Sequence, residues 1–360
     1  MTTLEAAPTE LDMARVEAFG GEMLGTLNRA LTALMISVGH RTGLYDTLAG
    51  LPPSTSAEVA KATGLNERYV REWLAAMTTA GIVDYDAKDA TFQLPAEHAM
   101  YLTREAGPDN LAYMTQVVSE LGRVEDGIVE CFKNGGGLPY AAYPNFQVLQ
   151  RGESAAIYDA SLLQRTLPAI PGLVSRLEAG IDVADFGCGA GHAVNLMARA
   201  FPASRFSGFD FSEEGIAIAR AEATDWGLTN VSFELRDLAE LDRPAAFDLI
   251  TAFDAIHDQV HPRAVLANIR TALRPGGTFL MVDIAGSSNL EENMEHPLGP
   301  AFYTLSTFHC MTVSLSAGGE GLGTMWGEQT AREYLTDAGF TIEDALHIEG
   351  DMSNVYFICR

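Results

Sequence analysis

The 360-residue sequence predicts an α/β protein, a doubly wound, mostly parallel seven-stranded sheet preceded by a mainly helical domain. Three observations carry this expectation. From Ile181 onward, apolar runs of strand length alternate with helical stretches, the rhythm of a sheet covered on both faces. Before them, residues 55–94 read as helix, turn, helix and two short strands. Apolar residues make up 47% of the chain, enough to fill separate cores in a chain of two-domain length.

In chain order, residues 1–12 read as a polar lead-in. Met13, Val16, Phe19, Met23, Leu27, Leu31, Leu34 and Val38 recur every three or four residues, which predicts one long helix with an apolar stripe. A stripe of that length points to a partner subunit. Thr55 with Glu58 has the pattern of a capping box opening a short helix that ends near Gly64. Asn66 caps a second helix with Val70, Trp73, Leu74 and Met77 on one face, and Gly81 ends it. Ile82–Tyr85 and Thr91–Leu94 then pair around a turn, completing a winged-helix pattern that assigns residues 1–105 to a dimerisation domain. Residues 106–175 form a helical connection, broken by Gly135-Gly136-Gly137, with helices that cover the following domain. The third segment, 176–360, holds expected strands at 181–186, 205–209, 231–235, 247–253, 278–284, 341–348 and 354–359. One of its helices begins at Pro262 and stops at Arg274-Pro275-Gly276-Gly277, and another spans Glu328 to Ala338. A long insertion, 285–327, interrupts it.

Composition narrows the function. The chain has 23 Lys and Arg against 48 Asp and Glu, a net charge of −25. Such a surface repels phosphodiester backbones and anionic membranes, so neither nucleic acid nor membrane is an expected partner. The acidic N-terminus lacks the character of a signal peptide, no apolar run reaches the ~18 residues that span a bilayer, and the four cysteines form no CxxC pair. A cytoplasmic location is expected.

The chemistry concentrates at strand ends. Asp185-Phe186-Gly187-Cys188-Gly189-Ala190-Gly191 joins a strand to a helix, where glycines admit a ligand close to the backbone and the helix offers free N–H groups. Dinucleotide binding is the obvious rival, but His192 stands where the G-x-G-x-x-G fingerprint requires its last glycine. Asp210 closes the next strand, where a carboxylate accepts from ribose hydroxyls, and Arg236-Asp237-Leu238 follows the third. With these residues in this order, the stretch from 181 to 284 resembles the class I S-adenosylmethionine-dependent methyltransferases. The resemblance implies that Gly187, Gly189 and Gly191 lie against the methionine part of the cofactor and Asp210 against its ribose. It implies that Asp237 and Leu238 flank the adenine, with Phe211 stacked on it. Asp185 and Phe253 complete the implied cofactor set, and Tyr158 closes over the cofactor carboxylate.

After the fourth strand, His257-Asp258 resembles the His-Asp pair of small-molecule O-methyltransferases that carry an N-terminal winged-helix dimerisation domain. By that resemblance His257 is the general base that deprotonates a hydroxyl, and Asp258 is its acidic companion. Gln259 stands where the plant members carry Trp. A phenol of pKa ~10 is largely neutral at pH 7, and an imidazole near ~6.5 is a suitable acceptor. His257 and His261 are four apart, but Pro262 begins the next helix, and no metal site is expected. The insertion supplies Tyr303, His309, Met311 and Trp326, read either as a substrate roof hinged on Gly318, Gly319, Gly321 and Gly323 or as a packing arm.

The expected protein is a homodimeric methyltransferase acting on a hydroxyl of a small, largely apolar molecule, phenols among the candidates. Sulfur, nitrogen or carbon acceptors stay open at this stage. The rival outside enzymology is a ligand-sensing winged-helix regulator. Residues 55–90 hold four basic against six acidic residues, the wrong balance for a DNA reader.

Overall fold

The computed structural model describes residues 11–348 and 351–360; of the expected lead-in, residues 1–10 lie outside the described residues. The chain divides between Ser119 and Glu120 into two compact units.

In the first unit, α1 (Met13–Thr42) runs 30 residues from its Asp12 cap to Gly43. Then come α2 (Leu44–Gly50), α3 (Ser56–Thr63) and α4 (Glu67–Thr79). The capping box at Thr55 and Glu58 makes both of its bonds, and Asn66 caps α4. Strands β1 (Asp84–Asp86) and β2 (Thr91–Gln93) pair antiparallel as the wing, and α5 (Ala96–Leu102) and α6 (Leu111–Met114) follow. Trp73 anchors this core, its ring 5.1 Å from Tyr45 and its indole N–H donating to the Met35 carbonyl at 2.8 Å. Leu11, Met13, Val16, Phe19, Met23, Leu24, Leu27 and Leu31 remain exposed on and just before α1.

The division falls within α7 (Gln116–Asn134), inside the segment expected as one connection. In the second unit, α8 (Phe146–Ser161) and α9 (Leu173–Ala179) lead into the sheet. Its elements are β3 (Asp182–Phe186), α10 (His192–Ala200), β4 (Arg205–Asp210), α11 (Glu213–Asp225), β5 (Val231–Leu235) and β6 (Phe247–Phe253). There follow α12 (Pro262–Ala272), β7 (Leu273–Ile284), α13 (Gly299–Leu305), α14 (Met311–Ser316), α15 (Gly327–Asp337), β8 (Ile342–Leu346) and β9 (Asn354–Cys359). The seven strands lie in the order β5-β4-β3-β6-β7-β9-β8, with β9 antiparallel to both neighbours.

Neighbouring residues in one strand point to opposite faces, and the two cores follow that alternation. Ala184, Ile250, Met281 and Phe357 pack with α12 and α15; Val183, Leu249, Leu280 and Ile358 pack with α10 and α11. Both faces are dry, as double winding requires. The Arg274–Gly277 stretch, expected as a helix stop, is a bulge in β7: its register jumps from Phe247 opposite Leu273 to Leu249 opposite Thr278. Strand order reverses between β3 and β6, and open α/β sheets bind ligands at the carboxyl side of such a reversal. Among the described residues, no helix is long and apolar enough to cross a membrane.

Candidate active site

The loop leaving β3 is held open by backbone geometry. Gly187 has φ +82°, and a Cβ there would lie 2.5 Å from that of Ala255, so only glycine fits. Its N–H and that of Cys188 both donate to the Phe209 carbonyl, at 2.8 and 3.0 Å, tying the loop to the end of β4. A Cβ on Gly191, the N-cap of α10, would meet Ala219 at 2.5 Å. At Gly189 a Cβ would meet nothing within 4 Å, and the N–H donates to Asp210 Oδ2 at 2.8 Å. Asp210 Oδ1 accepts from the Ser212 N–H at 2.8 Å. The Phe211 backbone N–H also favours the ionised form of this buried carboxylate, which keeps acceptor capacity for a further donor.

The loop, α8 and the ends of β4 and β6 line a cleft of about 750 Å³ that includes open solvent. Asp185, Asp210, Asp254 and Asp258 all border it, together with Tyr140, Tyr158, Phe211 and Phe253. Burial pushes the Asp185 carboxyl up to about 7, against the Thr251 hydroxyl, which donates to it at 2.6 Å. Burial also pushes Asp258 up to about 6, although His257 and the Tyr140 hydroxyl at 3.1 Å pull it down. Asp210 is raised by burial too, opposed by its backbone donors. The cations at the rim are already paired: Arg151 and His192 lie 3.0 and 2.9 Å from Glu222. A crowded set of carboxylates among aromatic rings suits a ligand carrying positive charge.

His257 is buried and does not border the cleft, whereas the next residue does. Its Nδ1 lies 2.8 Å from Asp283 Oδ1, at the carboxyl end of β7. The same oxygen accepts from the Trp326 indole N–H at 3.0 Å and the Ile284 N–H at 2.9 Å, so the acid is fixed from three sides. Burial alone would lower the imidazole; the Asp283 carboxylate and the Cys310 thiol outweigh it and hold His257 well above its ordinary 6.5. Nδ1 is turned to Asp283, and the Cys310 thiol also hydrogen-bonds the ring.

Of the expected cofactor residues, Asp185, Gly187, Gly189, Gly191, Asp210, Phe211, Phe253 and Tyr158 come together around the cleft. Asp237 and Leu238 do not border it. Asp237 is exposed and caps the Ala239 N–H at 2.9 Å, and Leu238 is buried in the core because the turn after β5 directs it inward. His257 pairs with Asp283, while Asp258 accepts from the Tyr140 hydroxyl. In the insertion, Trp326 is a core residue bonded to Asp283, not a roof over the cleft. Tyr303 is half exposed and bonded to Asn293 at 3.0 Å, and Met311 packs beside Gly323; neither borders the cleft. Gly323 is no loose joint, since its N–H donates to the His257 carbonyl at 3.1 Å and a Cβ there would strike Ser306. His309 does not border the cleft either; it stacks on Phe146 with ring centroids 3.5 Å apart. Sequence reading missed Asp283, although its place at a strand end marked it. It also missed Tyr140, which carries no local signal.

Residues 30–104 match the Rv2258c-like winged HTH domain and residues 177–337 the family described as Methyltransferase domain. The chain thus matches a winged HTH domain followed by a methyltransferase domain. Among curated proteins, it is 32% identical over 171 residues to a probable S-adenosylmethionine-dependent methyltransferase of Mycolicibacterium smegmatis, covering 47% of this chain and 56% of that one. The chain spans about half the length of the curated relatives it matches. Among solved structures, mitomycin 7-O-methyltransferase superposes with a TM-score of 0.70 at 19% identity, over 97% of this chain and 99% of that chain. Human N-acetylserotonin methyltransferase in complex with SAM gives 0.69 at 15% identity, over 99% of this chain and 99% of that one. At such identities these structures share the fold.

Proposed function

We propose that this chain transfers a methyl group from S-adenosylmethionine to a hydroxyl of a small, largely apolar acceptor, a phenol foremost, with His257 as general base. The observation that carries the reading is the buried Asp283–His257 pair, one residue from the cleft-lining Asp258. The cleft's chemistry fits the cofactor: Asp210 keeps acceptor capacity for ribose hydroxyls, the open side of Gly189 admits the amino-acid part, and carboxylates and rings suit its cationic sulfur. When bound, the cofactor would supply an activated methyl group on its sulfonium sulfur. Asp185, Tyr158 and Phe253 would hold the cationic part, and Phe211 the base. Asp283 holds the His257 ring, which receives the acceptor's proton as the acceptor oxygen bonds to the methyl carbon.

Calorimetry with S-adenosylmethionine, followed by mass spectrometry of phenol, thiol and amine acceptors, tests this. Micromolar binding and O-methyl products support it; absent binding, or products on nitrogen or sulfur alone, overturn it.

Proton linkage provides a second check. Asp185 and Asp258 are partly protonated near pH 6, with values of about 7 and about 6, and a cationic ligand favours their ionised forms. Binding at pH 6 is expected to release protons, seen as a binding heat that varies with buffer ionisation enthalpy. Affinity is expected to rise from pH 5.5 to 7.5.

We also infer a homodimer through α1, on the strength of its exposed apolar side chains. Phe19→Glu is expected to give monomers by sedimentation velocity, with cofactor affinity unchanged. The chain's −25 charge supports a dimer clamp over a DNA reader.

A further inference from the structure

His309 is only 1% exposed, and its Nε2 is buried with no hydrogen-bond partner among the described residues. The ring itself is thoroughly held. Phe146 stacks on it at 3.5 Å and 14°, and the edges of Tyr140 and Tyr143 approach at 5.1 and 4.9 Å. Tyr143 is in turn fixed by donating its hydroxyl to the Phe308 carbonyl. A phenylalanine would pack in this cradle equally well, so packing does not explain a buried ring nitrogen. The nitrogen lacks a partner that a bound group could supply.

Two contacts relate His309 to the proposed chemistry. Tyr140 touches both regions: one ring edge meets His309, another meets Phe211 at 5.3 Å, and its hydroxyl donates to Asp258 in the cofactor cleft. Cys310 joins the two imidazoles, its thiol interacting with His257 and lying 3.8 Å from His309 Nδ1. The two rings nevertheless differ in charge. Asp283 favours the cationic form of His257, whereas burial, aided by the His257 charge, lowers His309 to about 3 and keeps it neutral. A neutral imidazole in an aromatic cradle can pair with a hydroxyl or a carbonyl but offers no countercharge to a carboxylate.

We propose that His309 recognises a second, uncharged oxygen of the acceptor, so that the preferred substrate is a flat ring carrying two neutral oxygen groups, the hydroxyl that is methylated and another hydroxyl or carbonyl. This rests on the acceptor reading above and goes beyond it by naming a specificity-determining residue. A site built to pair with a polar group rejects analogues that lack it, because its own polar atom is then left unpaired.

The test compares phenol, catechol, resorcinol, hydroquinone and salicylate on the full chain. It measures kcat/KM with S-adenosylmethionine and Kd in the presence of S-adenosylhomocysteine, for the native protein and for His309→Phe and His309→Gln. The native protein is expected to prefer at least one of the three diols to phenol by about tenfold or more, with salicylate poorest. His309→Phe is expected to bring the diol-to-phenol ratio to about one while S-adenosylhomocysteine still binds within twofold, and His309→Gln to retain part of the preference. An unchanged ratio in His309→Phe, the result if a trapped water alone meets Nε2, overturns the proposal, as does a native preference for phenol or salicylate. If diol binding depends on His309 but no probe is methylated, the subsite stands and the methyl-transfer reading falls. Methylation indifferent to His309 gives the reverse.

Discussion

Asp210→Ala is expected to weaken S-adenosylmethionine binding by about 100-fold or more, a change read directly by calorimetry. The carboxylate supplies two interactions at once. It holds the glycine loop through the Gly189 N–H and the start of α11 through the Ser212 N–H, and it keeps acceptor capacity at the cleft. Hydrogen bonds to a charged group are each worth roughly 1.5–3 kcal/mol, so losing two from the ligand costs a factor of this order. Asp210→Asn is a sharper version of the same experiment, because an amide nitrogen turned toward Gly189 or Ser212 would set donor against donor. Stability is expected to move far less. Burial raises the Asp210 carboxyl, so keeping it ionised at neutral pH costs folding free energy, and that relief opposes the loss of its backbone partners. Circular dichroism should therefore report a folded protein that no longer takes up cofactor. Unchanged affinity would remove Asp210 from the cofactor site, and with it the ribose assignment.

What was legible in the sequence divides along a physical line. Periodicity and capping are local, so α1, the capping box at Thr55, the Asn66 cap and all seven strands could be read directly. Glycines at the strand-to-helix turn were legible because their backbone requirement is also local. The partner of His257 was not, since Asp258 is its neighbour in sequence while Asp283 is its neighbour in space. Parallel pairing of β6 with β7 brings the ends of those strands together, and no sequence spacing encodes that. Asp237 is ambiguous in sequence for the opposite reason: a carboxylate after a strand serves equally well as the cap of a short helical turn, and here it caps the Ala239 N–H. Trp326 and Tyr140 are placed by contacts distant in sequence, which no local signal shows. The tryptophan, in a long insertion, orients Asp283 from within the core, and the tyrosine, beyond a glycine-rich break, borders the cleft.

The dyad carries the other large expected effect. His257→Gln is expected to lower kcat for a phenolic acceptor by roughly 10²–10⁴-fold, the usual yield of a positioned base, while cofactor affinity stays within twofold. The separation follows from placement, since His257 does not border the cofactor cleft. Asp283→Asn distinguishes a base from a merely structural histidine. A base works only when neutral, and Asp283 holds the imidazole well above 6.5, so the native rate is expected to climb with pH through a range above neutrality. Without that carboxylate, burial is the largest remaining influence and lowers the imidazole. The acid limb of the pH–rate profile should therefore move to lower pH even as the maximal rate falls, because the ring loses its orienting partner. A histidine that only filled space would show a reduced rate with no displacement of the limb. Activity that persists in His257→Gln with an unshifted profile in Asp283→Asn would mean that alignment of acceptor and methyl group alone drives the transfer.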